Sequence, residues 1–331
     1  MIQVKLVNLG LIGLGYIGMV HLRHSANLAS ANLVAVADVS KKALQKAKRM
    51  GVKRIFSDYK QLLKDSNIDA VIIALPTHLH KSCAVQVAEA GKDIFLEKPL
   101  ARNTLEGREI VYSAQKHAVK LMVGYPFRFN PSFCSLKEQL DNGTLGEVQT
   151  ATATFVGTGP FMHRAEGYAP RPVPSWWFDK KLTGGGALID LGSHIINLLR
   201  WYLGEVVDIK SYLGHRFNLD LEDHAICLAK FASGQIAFIN VGWFSLSYKV
   251  RVDLFGTAKH SSAESNPTNR ILQAVQLLLG RPSQYYLPHF WELEHFVRCL
   301  INDVTPTPSG KDALKDLEVI SKAYANHNLT E

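Results

Sequence analysis

The stretch from Leu6 to Asp38 leaves this chain few folds to choose from. An apolar run, Leu6 to Ile12, leads into Gly13-Leu14-Gly15-Tyr16-Ile17-Gly18. A helical pattern follows, and a second apolar run, Leu33 to Ala37, ends on Asp38, twenty residues past Gly18. Strand, glycine turn, helix, strand and acid at the strand tip form the order that a dinucleotide-binding βαβ unit requires. Gly13 permits the tight turn, Gly15 lets the backbone approach a pyrophosphate, and Gly18 lets the helix lie close to the strand. The helix start offers unpaired N–H groups and a partial positive charge to phosphates. Asp38 can accept hydrogen bonds from ribose hydroxyls. A glycine turn alone is also an ordinary strand-to-helix connection; its context makes it a nucleotide fingerprint.

The alternation continues to residue 124. Short continuous apolar runs at Ala70–Leu75, Ile94–Leu96 and Leu121–Val123 alternate with helical patterns at Lys41–Arg49, Tyr59–Lys64, Leu79–Ala90 and Leu105–Lys116. Strands that are apolar throughout imply a sheet covered on both faces, hence a parallel, doubly wound one. Asp38, Pro76-Thr77-His78 and Glu97-Lys98-Pro99 all follow strands, so all belong at the carboxyl edge, where such sheets bind ligands. After Gly124 the texture changes. A helix at Pro131–Asp141, a strand at Val148–Val156 and a loop rich in Pro, Gly and aromatics lead to a long helix at about 187–202. Strands at Val207–Gly214, His224–Phe231, Gln235–Trp243 and Lys249–Phe255 follow, with a hairpin turn at Ala232-Ser233-Gly234. Helices at about 269–278, 290–301 and 311–326 close the chain. This predicts an α/β protein: a Rossmann domain over residues 1–124 and a second α/β domain over 125–331. The second carries an open, largely antiparallel sheet, and its last helix is free to pack back on the first.

The 331 residues suffice for two domains. A formal charge of +8 suits anionic ligands. The basic residues are scattered, without arginine-rich runs or aromatic–basic interleaving, which argues against nucleic acid. Four separated cysteines form no CxxC pair, so neither a structural metal nor a disulfide framework is expected. Lys5 and the apolar stretch to Val20 resemble a signal peptide, but four glycines interrupt it, three of them at nucleotide spacing. Cleavage at Ala29-Ser30-Ala31 would remove the fingerprint. A cytoplasmic protein without a membrane span is expected.

Three groups of residues carry candidate chemistry. Lys98, on a strand tip, can reach a ligand there; a lysine before a loop proline is equally an ordinary solvated one. Asp190 and His194 stand four apart on the helix after Gly184-Gly185-Gly186, so both can face one ligand. The alternative is a surface pair beside a turn. Imidazole suits proton transfer near neutrality. The triple glycine signals close approach of backbone to something, or a flexible entry to the helix. Trp176-Trp177-Phe178 suits either stacking on a sugar face or packing. His163, Arg164 and Arg171, in the loop before it, suit an anionic sugar or open solvent.

Taken together, Gly13–Gly18 with His21, Pro76-Thr77-His78-Leu79-His80, Glu97-Lys98-Pro99-Leu100-Ala101, Gly124-Tyr125 with Arg128-Phe129 and Pro131, and Gly184–Gly204 with Asp190, Gly192, His194 and Trp201 resemble the Gfo/Idh/MocA oxidoreductases over nearly the whole chain. The resemblance implies reversible hydride transfer between a nicotinamide and a carbinol of a sugar, cyclitol or sugar derivative. It implies Lys98 holding the reacting hydroxyl, with a Lys-Pro bond that can be cis, His194 taking its proton, and Asp190 orienting His194 or binding a neighbouring hydroxyl. Cofactor contacts are implied for Gly13, Gly15, Tyr16, Ile17, Gly18, Asp38, Leu75, Pro76, Thr77, His80, Glu97, Lys98 and Arg128. Substrate contacts are implied for Lys98, Trp176, Asp190, His194 and Asn197. Leu75 stands where the family often has threonine, and Asn197 where it often has aspartate. The family's sheet commonly supports homodimers or homotetramers. Asp38 favours NAD over NADP, although Ser40, Lys41 and Lys42 soften its repulsion of a 2′-phosphate. Two other readings stay open: a non-catalytic cofactor-binding regulator, and an enzyme that keeps and recycles a tightly bound NAD while acting on glycosides or sugar pairs.

Overall fold

The computed structural model describes residues 6–164, 167–170, 173–265 and 287–327. They divide into two compact units. One holds the described residues up to Ala101, Leu105–Pro126 and 287 to Leu314; the other holds Arg102–Thr104, 127–265 and the chain from Lys315.

The first unit is built from β1 (Val7–Ile12), α1 (Tyr16–Ser25), β2 (Ala31–Ala37), α2 (Lys41–Arg49), β3 (Arg54–Phe56), α3 (Tyr59–Leu63), β4 (Ala70–Ile73), α4 (His80–Glu89), β5 (Asp93–Glu97), α5 (Thr104–Lys116) and β6 (Leu121–Gly124). The strands pair in the order β3-β2-β1-β4-β5-β6, every pair parallel. The sequence missed β3, a three-residue edge strand without a fully buried position. Every residue of β4 and β6 is buried, as expected of strands covered on both faces. A late helix, numbered α10 below (Leu287–Ile301), buries Leu293, Phe296 and Val297 and packs on α1, β1, β5 and β6. The expected boundary at residue 124 instead groups this helix with the second domain. One apolar helix face does not say which sheet it will cover.

The second unit contains α6 (Pro131–Asp141), β7 (Val148–Val156), the hairpin β8 (Phe161–Arg164) and β9 (Gly167–Pro170), α7 (Lys180–Thr183), α8 (Ala187–Asp190), α9 (Gly192–Leu203), β10 (Val206–Gly214), β11 (His224–Phe231), β12 (Ile236–Gly242), β13 (Lys249–Gly256) and β14 (His260–Ser265). The final helix, α11 (Gly310–Ala325), enters this unit from Lys315. The large sheet runs β10-β11-β12-β7-β13-β14, and only β12–β7 is parallel among its pairs. Burial alternates along β11: Ala225, Cys227, Ala229 and Phe231 face inward under α8, while Ile226 and Leu228 face out. The sequence missed β14, whose residues are mostly polar and which buries only Ala263 fully. The single helix expected over 187–202 is two segments joined at Leu191. The helix expected near 269–278 lies outside the described residues. Among the described residues, no helix is long and apolar enough to cross a membrane.

Candidate active site

In the first unit, candidate residues gather at the carboxyl edge of the parallel sheet. Gly13 has φ +92°, and a Cβ there would stand 2.3 Å from the Ala74 carbonyl oxygen. A Cβ on Gly18 would stand 2.0 Å from the Gly13 oxygen. Gly15 differs: a Cβ there would meet nothing within 4 Å among the described residues. Two of the three glycines are therefore demanded by the protein's own packing, whereas the third leaves the turn open to an approaching group. Asp38 faces this turn. Its carboxylate accepts Leu14 N–H at 2.6 Å and Ser40 N–H at 2.7 Å, which orients it and leaves lone pairs for further donors. Tyr16 and Val39, beside the turn and the acid, are largely exposed. This arrangement fits a dinucleotide: an open glycine turn, a helix start and a fixed carboxylate.

Two further tips are fastened from within. His80 is buried, with Nδ1 2.9 Å from the Pro99 carbonyl and Nε2 2.9 Å from the Leu75 carbonyl, so it ties the loop after β4 to the loop after β5. Burial lowers its pKa. A ring with one N–H donates to one of these oxygens at a time. Thr77 is buried, while Leu75 and Pro76 are partly exposed beside it. Glu97 turns inward: it accepts His21 Nε2–H at 2.6 Å and the Lys98 backbone N–H at 3.2 Å. Lys98 itself is partly exposed, and the Lys98–Pro99 bond is cis. Behind Glu97 lies fully buried Glu292, whose carboxyl oxygens have no hydrogen-bond partner among the described residues. His21, Glu97 and Glu292 each offer a ligand atom within 4.8 Å of the others. Burial pushes Glu97 up, but the hydrogen bond and charge of His21 outweigh it and hold Glu97 below the usual carboxylate range. Burial and then the Glu97 charge push Glu292 well above that range. Of the two, Glu292 is therefore the one that holds a proton more readily. The sequence singled out His21 only within its motif, and Glu292 not at all.

In the second unit, the triple glycine is a packing device. A Cβ on Gly184, at φ +89°, would lie 2.3 Å from the Arg102 oxygen; one on Gly185 2.1 Å from the Tyr324 hydroxyl; one on Gly186 1.8 Å from the Glu222 oxygen. The chain thus enters α8 pressed against three other segments. Asp190 ends α8, and its carboxylate accepts Trp243 Nε1–H at 3.1 Å. His194 opens α9, is 8% exposed and sits with its ring centroid 5.0 Å from that of Phe127 and 5.7 Å from that of Phe155. The structure turns Asn197 inward: it is 1% exposed and its amide donates to Asp316 at 2.7 Å. Arg200 pairs with Asp316 as well, and burial raises Asp316 to about 6. Asn197 is thus tied to α11. Arg128 holds its guanidinium 4.8 Å above the Trp201 ring. Trp176 and Trp177 stack on one another, both half-buried. Arg171 and the side chains of His163 and Arg164 lie outside the described residues.

Two family models match the chain: an oxidoreductase family with an NAD-binding Rossmann fold over residues 7–125, and the GFO/IDH/MocA C-terminal domain over residues 133–260. An inositol 2-dehydrogenase of Rhizobium meliloti is 30% identical, with 96% of each chain covered. A myo-inositol 2-dehydrogenase of Thermotoga maritima is 27% identical, with 92% of each covered. The crystal structure of a probable dehydrogenase from Thermotoga maritima superposes with a TM-score of 0.84 at 25% identity, covering 97% of this chain and 96% of that one. The fold and the nucleotide turn define an NAD-binding oxidoreductase. The chain belongs to the Gfo/Idh/MocA family.

Proposed function

We propose that this protein is a dehydrogenase that oxidises, reversibly, a secondary carbinol of a cyclitol or sugar with NAD. The observation that carries this reading is His194, an imidazole almost wholly buried against Phe127 and Phe155, four residues past a carboxylate fixed by Trp243. Alcohol oxidation needs a base that works near neutrality, and imidazole is suited to it. Lys98 holds the reacting hydroxyl through its ammonium. His194 takes the hydroxyl proton, and Asp190 orients the imidazole or binds a neighbouring hydroxyl. NAD, when bound, supplies the hydride acceptor. Gly13 to Gly18 cradle its pyrophosphate, and Asp38 accepts from the adenosine ribose. Leu75, Pro76 and Thr77 border the same strand tips, which His80 and Glu97 keep in shape. The cyclitol reading is supported by the two inositol dehydrogenases that match end to end. Trp176 offers a half-buried ring for the apolar face of such a substrate.

The chain also suits a cytoplasmic homo-oligomer. Its signal-like segment is β1 and α1, the middle of the parallel sheet and its first helix. Tyr212, Ile226, Leu228, Ile236 and Phe238 give the outer face of the mixed sheet an apolar surface that a second copy can cover.

A thermal-shift screen with NAD and NADP across cyclitols, aldoses, linear polyols and nucleotide sugars tests the reading, followed by nicotinamide absorbance on each stabilising pair. The expected result is stabilisation by NAD, a further shift with a cyclitol or sugar, and reduction of NAD by that compound. Stabilisation by NAD with no turnover on any polyol would favour a regulator instead.

A further inference from the structure

The anchors of Asp190 lie outside the motifs that announce it. Glu222 is 2% exposed, and its Oε1 accepts three donors: Gly186 N–H at 2.9 Å, Leu188 N–H at 2.9 Å and the Tyr324 hydroxyl at 2.7 Å. Its backbone carbonyl accepts Ala187 N–H at 3.0 Å. One residue thus receives three consecutive amides at the start of α8, which would otherwise be orphan donors in a buried place. The next residue continues the construction. The Asp223 carbonyl accepts Trp243 N–H at 2.8 Å, and the indole of Trp243 donates to the Asp190 carboxylate at 3.1 Å. Trp243 is 1% exposed, and the described chain leaves its ring little freedom: Phe161 packs edge-on, and a Cβ on Gly159 would stand 2.2 Å from it. Asp190 is therefore held at both ends, its helix by Glu222 and Tyr324 and its carboxylate by Trp243.

We infer that Glu222 and Trp243 are positioning residues for Asp190: Glu222 fixes the first turn of α8, and Trp243 fixes the direction of the Asp190 carboxylate. The inference rests on the proposed role of Asp190, but its geometry can be tested apart from turnover.

The test joins kinetics to a spectroscopic probe on the full chain. The indole ¹⁵N–¹H resonance of Trp243 is assigned by its loss in Trp243→Phe. It should move in Asp190→Asn and in Glu222→Ala, and stay within a line width of wild type in Glu222→Gln, whose amide oxygen still accepts. Tyr324→Phe removes one of the three donors while keeping the ring, and serves should Glu222→Ala not fold; a small movement of the resonance is expected. In turnover, Trp243→Phe should lower kcat about tenfold to a hundredfold and leave the KM for NAD unchanged. Glu222→Gln should restore most of what Glu222→Ala loses. If the resonance ignores Asp190→Asn, Glu222→Ala and Tyr324→Phe, the positioning claim is overturned, whatever the activity. If Lys98→Ala and Asp190→Asn both keep full turnover, the catalytic reading fails, and the resonance still decides the geometry.

Discussion

The two six-stranded sheets deliver their candidate residues by opposite routes. In the parallel sheet, strands buried on both faces stop at one edge, and the polar residues follow within a few positions: Asp38 after β2, Thr77 after β4, Lys98 after β5. In the mixed sheet, the strands alternate and supply a floor. Asp190 and His194 ride on short helices above it, held by Glu222, Trp243 and Asp316 from distant parts of the chain. Sequence neighbourhood places residues in the first unit; tertiary hydrogen bonds place them in the second.

The sharpest contrast is chemical. Lys98→Ala and His194→Ala should each lower turnover about a thousandfold, within the range of general acid–base and positioning effects. NAD should still stabilise both variants, because its proposed contacts are made by the glycine turn and Asp38. Loss of NAD binding in His194→Ala would show that the two units do not divide the work in this way.

The glycines break the comparison open within a single turn. Gly18→Ala drives a Cβ into the Gly13 carbonyl and should cost about 3 kcal/mol of stability. Gly15→Ala meets nothing in the described chain, so its melting temperature should match wild type while NAD binds about tenfold more weakly. Equal melting temperatures for the two variants, or unchanged NAD affinity in Gly15→Ala, would remove the distinction between a packing glycine and a ligand glycine.

The same contrast explains what could be read in advance. The glycine turn, Asp38 and the β5 tip were legible because each directly follows an apolar strand, so local sequence sets its place. The hairpin Ala232-Ser233-Gly234 was legible too, since Gly234 takes φ +100° between β11 and β12. For Gly184–Gly186, close approach was foreseen but not what approaches, because Arg102, Glu222 and Tyr324 lie far away in the sequence. β3 and β14 escaped because neither bears an apolar run, and the destination of α10 escaped because its stripe would suit either sheet. Asn197 reads as a pocket residue by position, yet its neighbour in space is Asp316, 119 residues on.

Asp38 offers a milder test of the strand-tip logic. Asp38→Asn keeps one oxygen for Leu14 N–H, loses the one that accepts Ser40 N–H, and removes the charge proposed to meet the ribose. The preference for NAD over NADP should fall about tenfold, near 1.4 kcal/mol, as read by cofactor-dependent thermal shifts. An unchanged preference would assign cofactor choice elsewhere.

The smallest effect concerns the interior of the first unit, where Glu292 faces Glu97, with His21, His24, His289 and Lys98 acting on the same cluster. Burial and then the Glu97 charge raise Glu292 in the fold above its unfolded value near 4.5, so its contribution is fully present below about pH 4.5 and is lost as pH rises toward the elevated folded value. Burial lowers His24 to about 4 and His289 to about 3, so their contribution has the opposite sign: present above 6.5 and lost as pH falls. Wild-type stability therefore mixes two opposed slopes, and Glu292→Gln separates them. The glutamine keeps the shape of the neutral acid, and there is no partner among the described residues for it to lose. Denaturant unfolding at about pH 5 and about pH 6 should show the variant gaining about 1 kcal/mol on wild type across that interval. A gap that stays constant with pH would mean that Glu292 ionises in the fold much as it does in the unfolded chain.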